Sequence, residues 1–74
     1  MSEGIWSEKV REMSRTLGIA RAVALAACDR VASPMLVGVI RPLILLPASA
    51  LSGWTPEELE MALLHELAHV RRRD

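Results

Sequence analysis

The sequence predicts an α+β fold: an N-terminal helix, a small antiparallel sheet with an exposed edge strand, and a long C-terminal helix. Three observations predict it. Apolar residues recur at helical spacing near the start (Val10, Met13, Leu17) and again from Leu59 onward. Between these stretches, short apolar runs are cut by Ser33-Pro34, Arg41-Pro42 and Pro47, which is the punctuation of strands and turns. Finally, Thr55-Pro56-Glu57-Glu58 has the composition of a helix start.

Taken in order, Ser2 to Leu17 reads as a helix that Ser2 or Ser7 can cap and Gly18 stops. Trp6 is a packing anchor, and the mixed charges Glu8, Lys9, Arg11, Glu12 and Arg15 form a solvated face. The alanines of Ile19 to Asp29 favour helix, whereas Ile19, Val23 and Leu25 alternate with small residues at period two. The period favours a strand. Met35 to Ile40 and Leu43 to Leu46 read as two strands joined tightly through Arg41-Pro42. Pro34 before the first run and Pro42 after it point to an edge position, where an extended peptide can add as a further strand. A plain hairpin packed on the last helix explains the same residues equally well. Pro47 to Ser52 is a turn or short helix.

In the last helix Thr55 is the expected N-cap, with Pro56 at the first helical position and Glu58 closing a capping box. Trp54 and Leu59 stand at the positions of a hydrophobic staple. Leu59, Leu63, Leu67 and Val70 fall on one stripe at 100° per residue. Opposite them are His65 and His69, with Met61, Ala62 and Ala68 beside them. Both sides are therefore expected to be buried, one in a core and one as the floor of a site.

His65-Glu66-Leu67-Ala68-His69 carries the chemistry. Histidines four apart on a helix lie one turn from each other, so both imidazoles can reach one metal ion. Zn2+ is the ion that most readily accepts two neutral nitrogens in a tetrahedral shell. Glu66 then sits beside the metal and can take a proton from water. This is the H-E-x-x-H pattern of zinc metalloproteases. Two ordinary helical histidines are the bland alternative, and the caps and the intervening Glu66 weigh against it.

Composition sets bounds. The 74 residues allow at most one small domain, with residues 1–18 as N-terminal helix, 19–47 as sheet and 55–74 as zinc helix; the family resemblance given below implies that this domain is partial. A chain this short buries only about 60% of its unfolded surface, so a metal, a partner or more chain is expected to complete it. Formal charge is zero, which gives no global attraction to nucleic acid. The single cysteine, Cys28, excludes an internal disulfide and is expected as a buried small residue rather than a ligand. The apolar stretch Met35 to Leu51 is interrupted by Gly38, Arg41, Pro42 and Pro47, short of the ~20 residues a transmembrane helix needs. The N-terminus, with Glu3 and Glu8, lacks the pattern of a signal peptide.

With these motifs in view, SPMLVGVIRPLILLPASAL (from Ser33) and WTPEELEMALLHELAHVRRRD (from Trp54) resemble the BlaR/MecR-type antirepressor metallopeptidases, the M-fifty-six peptidase family. The shared features are Ser33-Pro34, Gly38, Arg41-Pro42, Leu46-Pro47, the acidic helix start, and H-E-L-A-H followed by Arg-Arg-Asp. The resemblance implies a gluzincin-type zinc protease domain on the cytoplasmic face of a multi-pass membrane protein. Its substrate is a protein or peptide, a transcriptional repressor in the beta-lactam-sensing members. It also implies that residues 19–29 form a strand. His65 and His69 become the zinc ligands, Glu66 the catalytic acid/base, and Met35, Leu36, Val37, Gly38 and Val39 the substrate-binding edge strand.

The departures shape the expectation. The family's third protein ligand is a glutamate on a later helix, and the 74-residue sequence reaches Asp74 before one. Asp74 itself lies five residues past His69, roughly 140° round a continuous helix, and cannot close the same shell. With Arg71 to Arg73 it reads as surface or supporting pairing. The 74 residues alone are therefore expected to be inactive. Two alternatives stand beside the protease: a catalytically incomplete module kept for packing or interaction, and an HtpX-like or CAAX-type membrane metalloprotease.

Overall fold

The helix near the N-terminus, α1, spans Glu3–Thr16 because its apolar residues share one face. Trp6 and Val10 are buried, and Met13 and Leu17 pack against the same core. Gly18 ends it in the left-handed conformation, φ +74°. There Ile19 N–H donates to Ser14 O at 2.9 Å and Gly18 N–H to Arg15 O at 3.1 Å, the paired bonds of a Schellman cap. Ile19 is buried as the cap's apolar residue rather than in a strand. The computed structural model describes residues 3–38 and 41–73, residues 3 and 73 by backbone alone. Ser2 and Val39 fall outside those residues, as does Asp74. Ser7 lies inside α1, so its expected capping role is not taken.

Three strands follow: β1 (Ala24–Cys28), β2 (Met35–Val37) and β3 (Leu43–Pro47). Their spatial order is β1-β3-β2. β2 runs antiparallel to β3, with Leu36 opposite Ile44, as the two-run pattern predicts. β1 runs parallel to β3, with Leu25 opposite Ile44 and Ala27 opposite Leu46. The sheet is thus mixed, which corrects the expected antiparallel arrangement. β2 reverses the chain and lies on the far side of β3, so β1 and β3 point the same way.

Along β3 the side chains alternate between the two faces. Ile44 and Leu46 are fully buried on the face that also carries Leu25 and Leu36. Leu43 and Leu45 are half-buried on the other face. Cys28 is half-buried rather than core, with Arg30 N–H donating to its Sγ at 3.5 Å.

A single turn of helix, α2 (Ala50–Gly53), leads to α3 (Pro56–Arg73). Leu59, Leu63, Leu67 and Val70 are each no more than 1% exposed, as the stripe requires. α1 and α3 are tied at two further points. Lys9 Nζ lies 3.8 Å from Glu60 Oε1, and Arg71 Nε donates to Leu17 O at 2.7 Å across the chain. The pairing expected of Asp74 with Arg71 to Arg73 lies outside the described residues. No helix among the described residues is long and apolar enough to cross a membrane.

Candidate metal centre

The site is built on α3, and α3 begins with a reciprocal cap. Glu58 N–H donates to Thr55 Oγ1 at 3.2 Å, and Thr55 N–H donates to Glu58 Oε1 at 2.8 Å. Both bonds of the expected capping box are formed. Leu59 N–H donates to Thr55 O at 3.0 Å and opens the helical ladder. The start of the helix is therefore set by Thr55, and its rotation by the four buried residues of the inner stripe.

That rotation carries His65 to the solvent side, with Glu66 and His69 half-buried next to it. The two imidazoles converge. Their Nε2 atoms are 3.3 Å apart, and the rings meet edge to face at 89° with centroids 4.8 Å apart. Two nitrogens each held at about 2.0–2.1 Å from one zinc ion, at the tetrahedral angle, are about 3.3–3.4 Å from each other. The pair has the separation such a shell demands. As it stands, one Nε2 donates a hydrogen bond to the other, according to tautomer.

Next to this pair a groove of about 340 Å3 is lined by Pro34, Trp54, Ala62, His65 and Glu66. Ala62 keeps the helix wall low one turn before His65. Pro34 immediately precedes β2, so the groove lies between the H-E-x-x-H segment and the start of the edge strand. The histidine side is not buried in the way the apolar count suggests. Met61 is 73% and Leu64 43% exposed, because sheet and α1 cover the opposite face. Among the described residues, no group of three or more His, Cys, Asp or Glu is placed to hold a metal ion.

A family model described as BlaR1 peptidase M56 matches residues 2–74. The chain belongs to this family. Regulatory protein BlaR1 of Bacillus licheniformis is 42% identical over 52 residues, covering 70% of this chain and 8% of that protein. The chain thus spans less than a tenth of the length of this relative. No solved structure matches.

Membership of the M56 family makes these residues part of a BlaR1-like peptidase domain of metallopeptidase type. On that background the structure brings His65, Glu66 and His69 to one side of α3. Met35, Leu36 and Val37 form β2, whose outer edge is unpaired among the described residues. Gly38 falls just past the strand at φ +91°. None of these four lines the groove; Pro34 does, and in the sequence it reads as a turn marker and a sign of an edge position, not as a site residue. Trp54 and Ala62 are further groove residues that periodicity alone treats as a staple and a small filler.

Proposed function

We propose that this chain is the H-E-x-x-H portion of a zinc-dependent endopeptidase of partial gluzincin-type zincin fold, housed in a larger membrane protein. The observation that carries the reading is the 3.3 Å approach of the two Nε2 atoms beside a carboxylate in a groove. His65 and His69 hold the ion. The remainder of the parent protein supplies the third ligand, a glutamate, and the membrane-spanning helices. A zinc ion bound there lowers the pKa of water to about 7 and polarises a carbonyl.

The chain's own residues do the rest. Glu66, half-buried in the groove wall, accepts the proton of the attacking water and passes it to the departing amine. The free edge of β2 offers backbone N–H and C=O groups to an extended peptide. Met35, at 43% exposed, is available to a substrate side chain, and Pro34 and Trp54 give the groove apolar walls. The substrate class is a protein or peptide, with a transcriptional repressor as the first candidate, cleaved on the cytoplasmic face.

A second reading has one observation in its favour: no third ligand is grouped with the histidines among the described residues. Two ligands hold zinc weakly, so the 74 residues alone act as a binding or packing module without turnover. The test is metal analysis combined with peptidase assay, on this chain and on a version extended into the parent. Glu66→Gln is expected to retain zinc and lose cleavage; His65→Ala is expected to lose zinc. Equal zinc in wild type and His65→Ala refutes the ligand assignment. Cleavage surviving in extended Glu66→Gln refutes the proton role.

A further inference from the structure

The helices cover the sheet on one face only. α1 and α3 both pack against the side that carries Leu25, Leu36, Ile44 and Leu46. By strand alternation the other side carries Ala24, Leu43 and Val37 in one row across the sheet, and Ala26, Leu45 and Met35 in the next. Ala24 and Met35 are exposed and the rest of these rows half-buried. Cys28 stands on the same side at the end of β1, also half-buried. No charged side chain interrupts the rows.

A sheet with one face in water alternates apolar with polar residues, whereas a sheet buried on both faces reads as unbroken apolar runs. ALAAC, MLV and LILLP are unbroken runs. A mostly apolar cavity of about 700 Å3 also opens at the end of the sheet where Ala24 faces Leu43, with Ala22 and Pro42 among its walls. The outer face is therefore composed for burial and lacks its cover.

Its size and its edges decide what the cover is. Three strands about 4.8 Å apart, of up to five residues at about 3.3 Å each, make a patch about 10 Å wide and about 16 Å long. One α-helix, about 10 Å across, covers that patch in about three turns. The patch falls far short of the ~800 Å2 per partner that a stable association of separate molecules needs, so this face does not hold a second copy. A bilayer does not suit it either, because the unpaired backbone groups of the β2 edge would enter hydrocarbon unsatisfied. A helix joined to the same chain needs no such area, since the tether supplies its effective concentration.

We propose that an amphipathic helix from the remainder of the parent protein packs across this outer face and completes a helix–sheet–helix sandwich. Its contacting stripe is apolar and uncharged, because the face offers no charge to pair. The proposal takes from the proposed function only that the chain is housed in a larger protein; the His65 groove and zinc are not involved.

Cys28 is the built-in reporter. Its alkylation by N-ethylmaleimide, located by peptide mass mapping, is compared between the 74-residue chain and the version extended into the parent, held in lipid nanodiscs. Labelling is expected to be slower by about tenfold or more in the extended protein. Leu45→Gln places an amide in the middle of the face. It should leave the denaturation midpoint of the short chain near wild type, while in the extended protein it should lower the midpoint and speed Cys28 labelling. Equal labelling rates in the two lengths, or a Leu45→Gln as harmless in the extended protein as in the short chain, would overturn the helix. So would either of two results on the short chain. A concentration-dependent dimer in sedimentation velocity that Leu45→Gln dissolves assigns a second copy, and sedimentation with phosphatidylglycerol vesicles that Leu45→Gln abolishes assigns a bilayer. Loss of zinc binding or cleavage in the extended protein counts against the peptidase reading and leaves these readouts unchanged.

Discussion

Two glycines with left-handed backbones offer a matched test of how the edge strand is held. Gly18 has φ +74° and Gly38 has φ +91°, but their surroundings differ. A Cβ built on Gly18 meets nothing within 4 Å, whereas one on Gly38 stands 2.5 Å from the backbone carbonyl oxygen of Arg41. Gly18→Ala therefore bears only the left-handed penalty, about 1–2 kcal/mol. Gly38→Ala bears that penalty and also forces apart the connection between β2 and β3, adding about 1–3 kcal/mol by analogy with overpacked sites. A chain this long has a total stability of about 4–11 kcal/mol, so the second substitution removes a large share of it. Urea unfolding followed by far-UV circular dichroism reads both losses on one scale. Equal losses in the two variants would show that the close approach at Gly38 does not hold β2 against β3, and the steric argument would fail.

Three further outcomes are expected. Thr55→Ala removes the hydroxyl half of the capping box and should lower stability by about 1 kcal/mol; an unchanged denaturation midpoint would dismiss the cap. Leu67→Ala, at a fully buried position, should lose about 2–5 kcal/mol. Met61→Ala, 73% exposed on the other side of the same helix, should stay within about 0.5 kcal/mol of wild type, and the reverse ranking would mean the helix is rotated. Arg71→Gln breaks the 2.7 Å bond to Leu17 O at an exposed position. It should cost about 1 kcal/mol and raise amide exchange at Gly18 and Ile19, and unchanged exchange there would refute the link between the two helix ends.

What can be read from sequence divides along the range of the interactions. α3 is legible almost to the residue, because its cap, first-turn proline and leucine stripe are all local signals. The apolar run Leu43 to Leu46 is also legible as a strand, but nothing in its unbroken composition says that Ile44 and Leu46 are the buried pair. The direction of β1 is not legible. Nothing within Ala24–Cys28 says which neighbour it will choose, and its parallel register with β3 depends on β2 crossing to the far edge. The half-buried state of Cys28 follows from the same non-local choice. Met61 misleads for a different reason: hydrophobicity marks which residues tolerate burial, and only the packed neighbours decide which side of a helix is covered. Family resemblance, not periodicity, settles that residues 19–29 contain a strand.

The site and the core are consequences of one helix rotation. Leu63 and Leu67 differ by four residues, as do His65 and His69, so each pair lies one turn apart on its own face of α3. Burying the leucines fully leaves the histidines no freedom to turn away from solvent. The 3.3 Å separation of their nitrogens then requires only compatible side-chain rotamers, not a separately constructed pocket. A substitution that loosens Leu63 or Leu67 should therefore weaken metal binding without touching a ligand. A change at Met61 should leave it alone. If zinc affinity proved indifferent to Leu67→Ala in protein that still folds, the histidine pair would owe its geometry to something other than the core beneath it.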